Sequence, residues 1–153
     1  MLTLDIELFT QLHYRQSIDP DSELSGLFKD VFLYHWKEEC QHAILDELEL
    51  LRHDAGLTAE ERNKGVDDFI DLVAAVDGML RAQAAADTGY FAANCGRAVD
   101  ADEAGTIEAA FLTAYRWQYI HSGAGHPHFG KVLSGLITES HGQRIRAALA
   151  TLH

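Results

Sequence analysis

The chain has 153 residues, of which 47% are hydrophobic and 24% charged; these values are typical of one globular domain, and we predict a single helical-bundle domain over residues 1–153. Its formal net charge of −12 argues against nucleic-acid and anionic-membrane partners, which select basic surfaces, and no apolar run approaches the length of a bilayer span. The first residues lack the basic segment of a signal peptide, and Cys40 and Cys95 form no disulfide or zinc pattern, so we expect a cytoplasmic protein.

Hydrophobic periodicity predicts helices along the whole chain, and no alternating strand pattern occurs. Pro20 separates the first helix from the second, Gly56 ends the second, and a capping box at Thr58 precedes the third. The predicted helices cover about residues 3–16, 23–53, 66–94, 102–122 and 128–152. The capping box at Thr58 begins either a short separate helix or the start of the third helix, with a kink expected at Gly65. Four long helices and a fifth predict an all-α bundle.

The second helix contains Glu39-x-x-His42. Residues three apart lie on one helical face, so this carboxylate and this imidazole can reach the same point. His35 lies one turn earlier and Asp46 one turn later. The same stripe carries apolar residues that favour burial: Phe28, Val31 and Phe32. An apolar face that becomes polar at its centre predicts a metal site inside a bundle.

A two-metal carboxylate site in a bundle takes about six ligands: a Glu from each of two helices and a Glu-x-x-His pair from each of the other two. Helix one offers Glu7, which an antiparallel hairpin would place at the height of Glu39. Helix three offers Asp77, which a tight hairpin favours, or Asp87, which a crossover connection favours. The sequence leaves that choice open, and Asp77 could instead pair with Arg81, its neighbour one turn on.

Helix four carries Gln118-x-x-His121, which has the same spacing with an amide in place of the carboxylate. An amide oxygen coordinates weakly or hydrogen-bonds a bound water, and it brings no charge. We expect neighbouring polar side chains to orient the ligands through hydrogen bonds. These are His35, Asp46, Tyr14 and Tyr115.

The order and spacing of these groups resemble the ferritin-like di-iron carboxylate superfamily over about residues 3–122. The resemblance rests on Glu7, Glu39-x-x-His42, an Asp on helix three and Gln118-x-x-His121. It implies a ferritin-like four-helix bundle with an additional C-terminal fifth helix. It also implies a centre of two iron ions, or two manganese ions, that reacts with oxygen or peroxide. Because Gln118 and the helix-three Asp depart from the family pattern, a single ion with an incomplete second half-site is the alternative.

The expected function is therefore a di-iron oxidoreductase or oxygenase acting on a small molecule. The alternative is a non-enzymatic helical-bundle assembly, or an iron-handling protein, with a degenerate metal site. A second apolar strip on helix two favours a homodimer: Leu33, Ile44, Leu48 and Leu51. A hemerythrin-like site would need further histidines on helix three, and residues 54–120 contain none.

Overall fold

The computed structural model describes residues 1–152, and over that range the chain is helical with no strand. The all-α prediction is confirmed. Two π-helical segments, Tyr14–Ile18 and Trp117–His121, continue the first and fourth helices. The helices are α1 (Leu2–His13), α2 (Gly26–Asp54), α3 (Ala59–Asn94), α4 (Ala101–Arg116), α5 (Ser122–Ala124), α6 (Pro127–Leu136) and α7 (Glu139–Leu149).

Side-chain caps set where the long helices begin. The Ser25 hydroxyl accepts from the amide of Phe28 at the start of α2, so this helix begins later than the predicted residue 23. Thr58 and Glu61 form the predicted capping box. That box starts α3 itself at Ala59, which is one of the two predicted alternatives. Gly65 lies within the continuous helix, because one glycine inside a helix costs only about 1 kcal/mol.

The predicted single fifth helix is wrong, because a cap divides this segment into α6 and α7. Thr138 is extended, with φ −81° and ψ 164°, and its hydroxyl accepts from the amide of His141. The His141 ring in turn accepts from the amide of Thr138. Pro127 occupies the first turn of α6, where its missing N–H costs nothing.

The helices form two hairpins. α1 packs against α2, and Gln11 reaching Glu39 shows that the two helices run antiparallel. α3 packs against α4 in the same way. The main contacts between the hairpins run through Trp117–His121, α5, α6 and α7. Whether this arrangement is a ferritin-like bundle stays a prediction.

Two small apolar clusters form the core. The first joins α1, α2 and α6 through Leu4, Leu8, Ala43, Phe129 and Val132. The second contains Leu80, Ile120 and Leu152. Both clusters include residues from α6 or the chain beyond α7, so the C-terminal segment holds the two hairpins together.

Much apolar surface stays outside these clusters. The accessible surface is 9646 Å², whereas a compact monomer of this size exposes about 7,700 Å². α2 contributes a large share of the exposed apolar side chains: Leu27, Val31, Tyr34, Ile44, Leu45 and Leu48. Among residues 1–152, no helix combines the length and hydropathy that a membrane span requires.

One carboxyl group lies inside the contact between α1 and α5. Asp5 is 4% exposed, and burial raises its pKa to about 7. Gly123 of α5 lies directly against it, and a Cβ at this position would come 2.6 Å from the backbone oxygen of Asp5. The absence of a side chain at Gly123 therefore lets the two helices approach.

We expect Asp5→Asn to make the protein more stable at pH 8 and to leave it nearly unchanged at pH 4. The pKa of Asp5 is about 7 in the folded state and 3.8 for an ordinary aspartate, so between these pH values the folded state holds a proton that the unfolded state has lost. Wild-type stability therefore falls as pH rises through this window, and the amide removes that loss. The gain at pH 8 is roughly 2–4 kcal/mol. Urea unfolding of both proteins at the two pH values measures it; equal stability at pH 8 would contradict the buried carboxyl.

Gly123→Ala should lower the unfolding free energy by about 1–3 kcal/mol, because the new methyl overlaps Asp5 and the helices must separate. Gly105→Ala in α4 is the matched control. A Cβ there meets no atom within 4 Å, so it should stabilise the helix by up to about 1 kcal/mol. Thermal unfolding of both variants compares them, and a stable Gly123→Ala protein would show that the contact is looser than described.

Candidate metal centre

The α1–α2 hairpin places three metal-binding side chains together. Leu4 and Leu8 of α1 pack against Ala43 of α2, and this contact sets Glu7 opposite Glu39 and His42. One ligand atom from each of these three residues lies within 4.8 Å of the other two. Within the described residues they are the one group of three metal-binding side chains this close together.

Hydrogen bonds fix the orientation of Glu39, whose side chain is 13% exposed. Its Oε1 lies 2.6 Å from His35 Nε2, and its Oε2 lies 3.0 Å from His42 Nδ1. The Gln11 side chain donates to the backbone oxygen of Glu39 at 3.3 Å. Glu39 is therefore held on both carboxylate oxygens and at its backbone.

Glu7 and Glu39 lie close enough for each carboxyl group to shift the pKa of the other. Burial raises the pKa of Glu7 to about 7, and the hydrogen bond and charge of Glu39 add to this rise. The hydrogen bond from Glu7 lowers the pKa of Glu39, and the hydrogen bond to Glu39 raises the pKa of His42. Two carboxyl groups this close avoid carrying two negative charges by retaining a proton.

A divalent cation fits this donor set. Glu7 Oε2 is buried without a hydrogen-bond partner in the described chain, and such an oxygen is costly to leave unpaired. Two carboxylates and one imidazole suit iron, manganese or zinc. The ion would replace the protons on Glu7 and His42, because bound ligands must be deprotonated.

A cavity of about 300 Å³ lies beside this group. His35 connects the two, because it lines the cavity and bonds to Glu39. Trp36 lines it too, and its indole N–H is buried with no acceptor in the described chain. The other lining residues are mainly aromatic or polar: Phe9, Thr10, His13, Tyr14, Ile18, Phe32 and Gln118.

The structure places Asp77 away from Glu39, in a buried ion pair. Its Oδ1 accepts from Arg116 Nε at 2.7 Å, and its Oδ2 accepts from Arg81 Nε at 2.7 Å. The predicted pairing with Arg81 is confirmed. The Arg116 hydrogen bond holds the pKa of Asp77 below its usual range. Both oxygens are thus occupied by guanidinium groups.

Asp87 also has partners of its own. The Tyr115 hydroxyl donates to its Oδ2 at 2.5 Å, and the Gln83 amide donates to the same oxygen at 2.9 Å. The Tyr115 hydrogen bond lowers the pKa of Asp87. Tyr115 therefore supports Asp87, and neither residue joins the Glu7, Glu39 and His42 group.

Gln118 and His121, the predicted pair on helix four, have different surroundings. His121 Nε2 lies 3.2 Å from the backbone oxygen of Leu152. Gln118 lines the cavity that His35 also lines. Both residues lie at or next to the π-helical segment Trp117–His121, where the wider turn alters the spacing of a regular helix.

Of the four residues expected to orient the ligands, three lie near the Glu7, Glu39 and His42 group or its cavity, and the fourth does not. His35 bonds to Glu39 as predicted. Asp46 lies close enough to raise the pKa of Glu7 through its charge. Tyr14 stacks on Trp36, with ring centroids 5.5 Å apart, and lines the cavity. Tyr115 lies on the other hairpin.

Two buried ionisable side chains, Arg116 and Asp5, were not predicted from the sequence. Arg116 is separated from Asp77 by 39 positions, so no local spacing connects them. A signal existed, since Arg116 lies one turn from Leu112 and from Ile120 on an apolar face of helix four. Asp5 shows no comparable pattern, because its burial depends on the distant Gly123.

Comparison with family models, with curated proteins and with solved structures finds no match to this chain. The case for a function therefore rests on the geometry of the side chains.

Asp77→Asn should cost about 3–5 kcal/mol of stability, because it removes the carboxylate charge that faces the buried Arg116 guanidinium at 2.7 Å. It should not change metal affinity in protein that remains folded. Replacing both partners, as Asp77→Leu with Arg116→Met, should recover much of the loss. Asp87→Asn is the control, and it should cost less than about 1.5 kcal/mol because a neutral hydrogen bond can remain. Unchanged stability with lost metal binding in Asp77→Asn would instead make Asp77 a ligand.

Proposed function

We propose that this chain binds iron, with manganese as the alternative, through Glu7, Glu39 and His42. We further propose that it uses the metal to oxidise a small molecule with oxygen or peroxide. The observation that carries the proposal is the convergence of the three ligand atoms within 4.8 Å around a buried, unpartnered Glu7 oxygen. The order of these groups along α1 and α2 agrees with the resemblance to ferritin-like di-iron carboxylate proteins.

Each side chain has a separate task in this proposal. Glu39 carries the central carboxylate, which His35 orients at Oε1, while Gln11 donates to the backbone oxygen of the same residue. Glu7 supplies a second carboxylate from the opposite helix. His42, whose side chain is 44% exposed, forms the open side through which an ion arrives. Bound iron supplies the one-electron chemistry with oxygen that protein side chains lack.

The neighbouring cavity is the proposed substrate site. Its volume of about 300 Å³ is at the lower end of small-molecule pockets. Phe9 and Phe32 provide apolar walls, and Gln118 and the Trp36 indole provide polar groups. A small, largely apolar substrate that carries a hydrogen-bond acceptor fits this lining.

An iron-handling or assembly role without turnover is the second candidate. It is favoured by the small donor set, since a two-metal bundle site takes about six ligands, and by the large apolar surface of α2. Oxygen consumption separates the two. The second candidate is favoured if the protein binds iron but consumes only the oxygen needed to oxidise that iron, whichever substrate is added.

Glu39→Gln should weaken ferrous iron binding by more than about 100-fold, because losing a ligand costs more than losing one of its supporting hydrogen bonds. The amide also removes the charge that faces Glu7 and His42. Anaerobic calorimetric titration with ferrous and manganous ions measures the affinity. Metal should also raise the melting temperature of the wild type and not that of the variant.

Glu49→Gln is the matched control, since Glu49 lies on the same helix, is 65% exposed and pairs with Arg52. It should bind metal as the wild type does. The proposal is overturned if the wild type binds neither ion, or if Glu39→Gln binds them as tightly as Glu49→Gln does.

A further inference from the structure

The donor set on the α1–α2 hairpin is half of a two-metal set. A two-metal bundle site takes one Glu from each of two helices and one Glu-x-x-His from each of two others. This hairpin supplies one Glu, Glu7, and one Glu-x-x-His, Glu39 and His42. A second set with the same composition would complete the centre.

The other hairpin does not supply that second set. Asp77 is held by Arg116 and Arg81, and Asp87 by Tyr115 and Gln83. His121 lies against the backbone of Leu152. The described residues of this hairpin therefore offer no matching set, and a two-metal centre would take its other ligands from another molecule.

The half-set is open on an apolar side. The His42 side chain is 44% exposed, and Leu45, about 60° around the helix from it, is 59% exposed. Val31 lies near the same face, two turns before Glu38, and is also 59% exposed. Glu38, whose side chain is 64% exposed, also lies 3.9 Å from His42, so the open side combines one acid with aliphatic residues. Exposed aliphatic side chains beside a metal-binding group favour a surface that another protein covers.

The available area matches a dimer. The chain exposes 9646 Å², about 1,900 Å² more than a compact monomer of its length. A standard interface needs about 800 Å² from each partner. A twofold axis also brings a surface patch against its own copy, which is how one half-set meets an identical one.

We propose that a second copy of this chain covers the α1–α2 hairpin. Each copy then supplies Glu7, Glu39 and His42 to a two-metal centre on the twofold axis. This inference rests on the proposed metal binding. Four acidic side chains meet in the interface, and those that are ionised repel one another without cations, so dimer formation and metal binding are coupled. The centre holds one ion per chain and two per dimer.

The experiment is sedimentation equilibrium of the full chain with and without manganous ion, combined with electron paramagnetic resonance of the manganese-loaded protein. We expect the metal to convert monomer into dimer with one manganese per chain. The two ions should give the broadened spectrum of an exchange-coupled pair rather than the six-line signal of an isolated ion.

Leu45→Glu and Ile44→Glu form a matched pair, since the two side chains are 59% and 60% exposed. Leu45 lies beside His42, and Ile44 lies about 200° away around the helix. Leu45→Glu should abolish the dimer and weaken manganese binding at least about tenfold, whereas Ile44→Glu should keep both. Circular dichroism checks that each variant is folded.

Three results would overturn the inference. A monomer that binds one manganese with an isolated six-line signal would overturn it and leave the proposed metal site intact. So would a dimer that forms equally without metal and is disrupted by Ile44→Glu rather than Leu45→Glu. Failure of the wild type to bind manganese or iron in any oligomeric state would remove the proposed function itself.

Discussion

The close packing of α1 against α2 is the contact on which the candidate centre depends. Ala43 is buried between the helices, and its small side chain lets Leu4 and Leu8 approach the backbone of α2. This approach brings Glu7 to Glu39. Because the two acidic residues come from different helices, any change that separates the helices also separates the ligands. The geometry of the candidate site therefore depends on the packing of α1 against α2.

The buried acidic side chains lie in different electrostatic environments. Asp77 lies between two guanidinium groups, so its charge is neutralised within the fold. Glu7 has no such cation, and it keeps a proton near neutral pH because burial and Glu39 raise its pKa. Such a carboxyl lies beside an oriented carboxylate and an imidazole. It can release its proton when a metal ion binds to the group. This contrast separates a structural ion pair from a candidate binding site.

The candidate centre lies on one hairpin, on a helix that also exposes many apolar side chains. A bundle core would bury the ligands among four helices, whereas here His42 and the aliphatic residues near it face outward. Covering that face removes water from the centre and buries aliphatic surface at once. The proposed dimer and the proposed metal binding would therefore both follow from the same arrangement.

The amino-acid sequence by itself determined the helical class, the capping box at Thr58, and the shared face of Glu39 and His42, because these depend on spacing within one helix. It also indicated Glu7, since a hairpin of two helices has a simple register. The tertiary structure alone decided that Asp77 pairs with Arg116, that Asp87 accepts from Tyr115, and that a cap at Thr138 divides the last helix. These outcomes depend on which distant groups meet and on competition between local caps and helix continuation, and neither is encoded in the periodicity of a single segment.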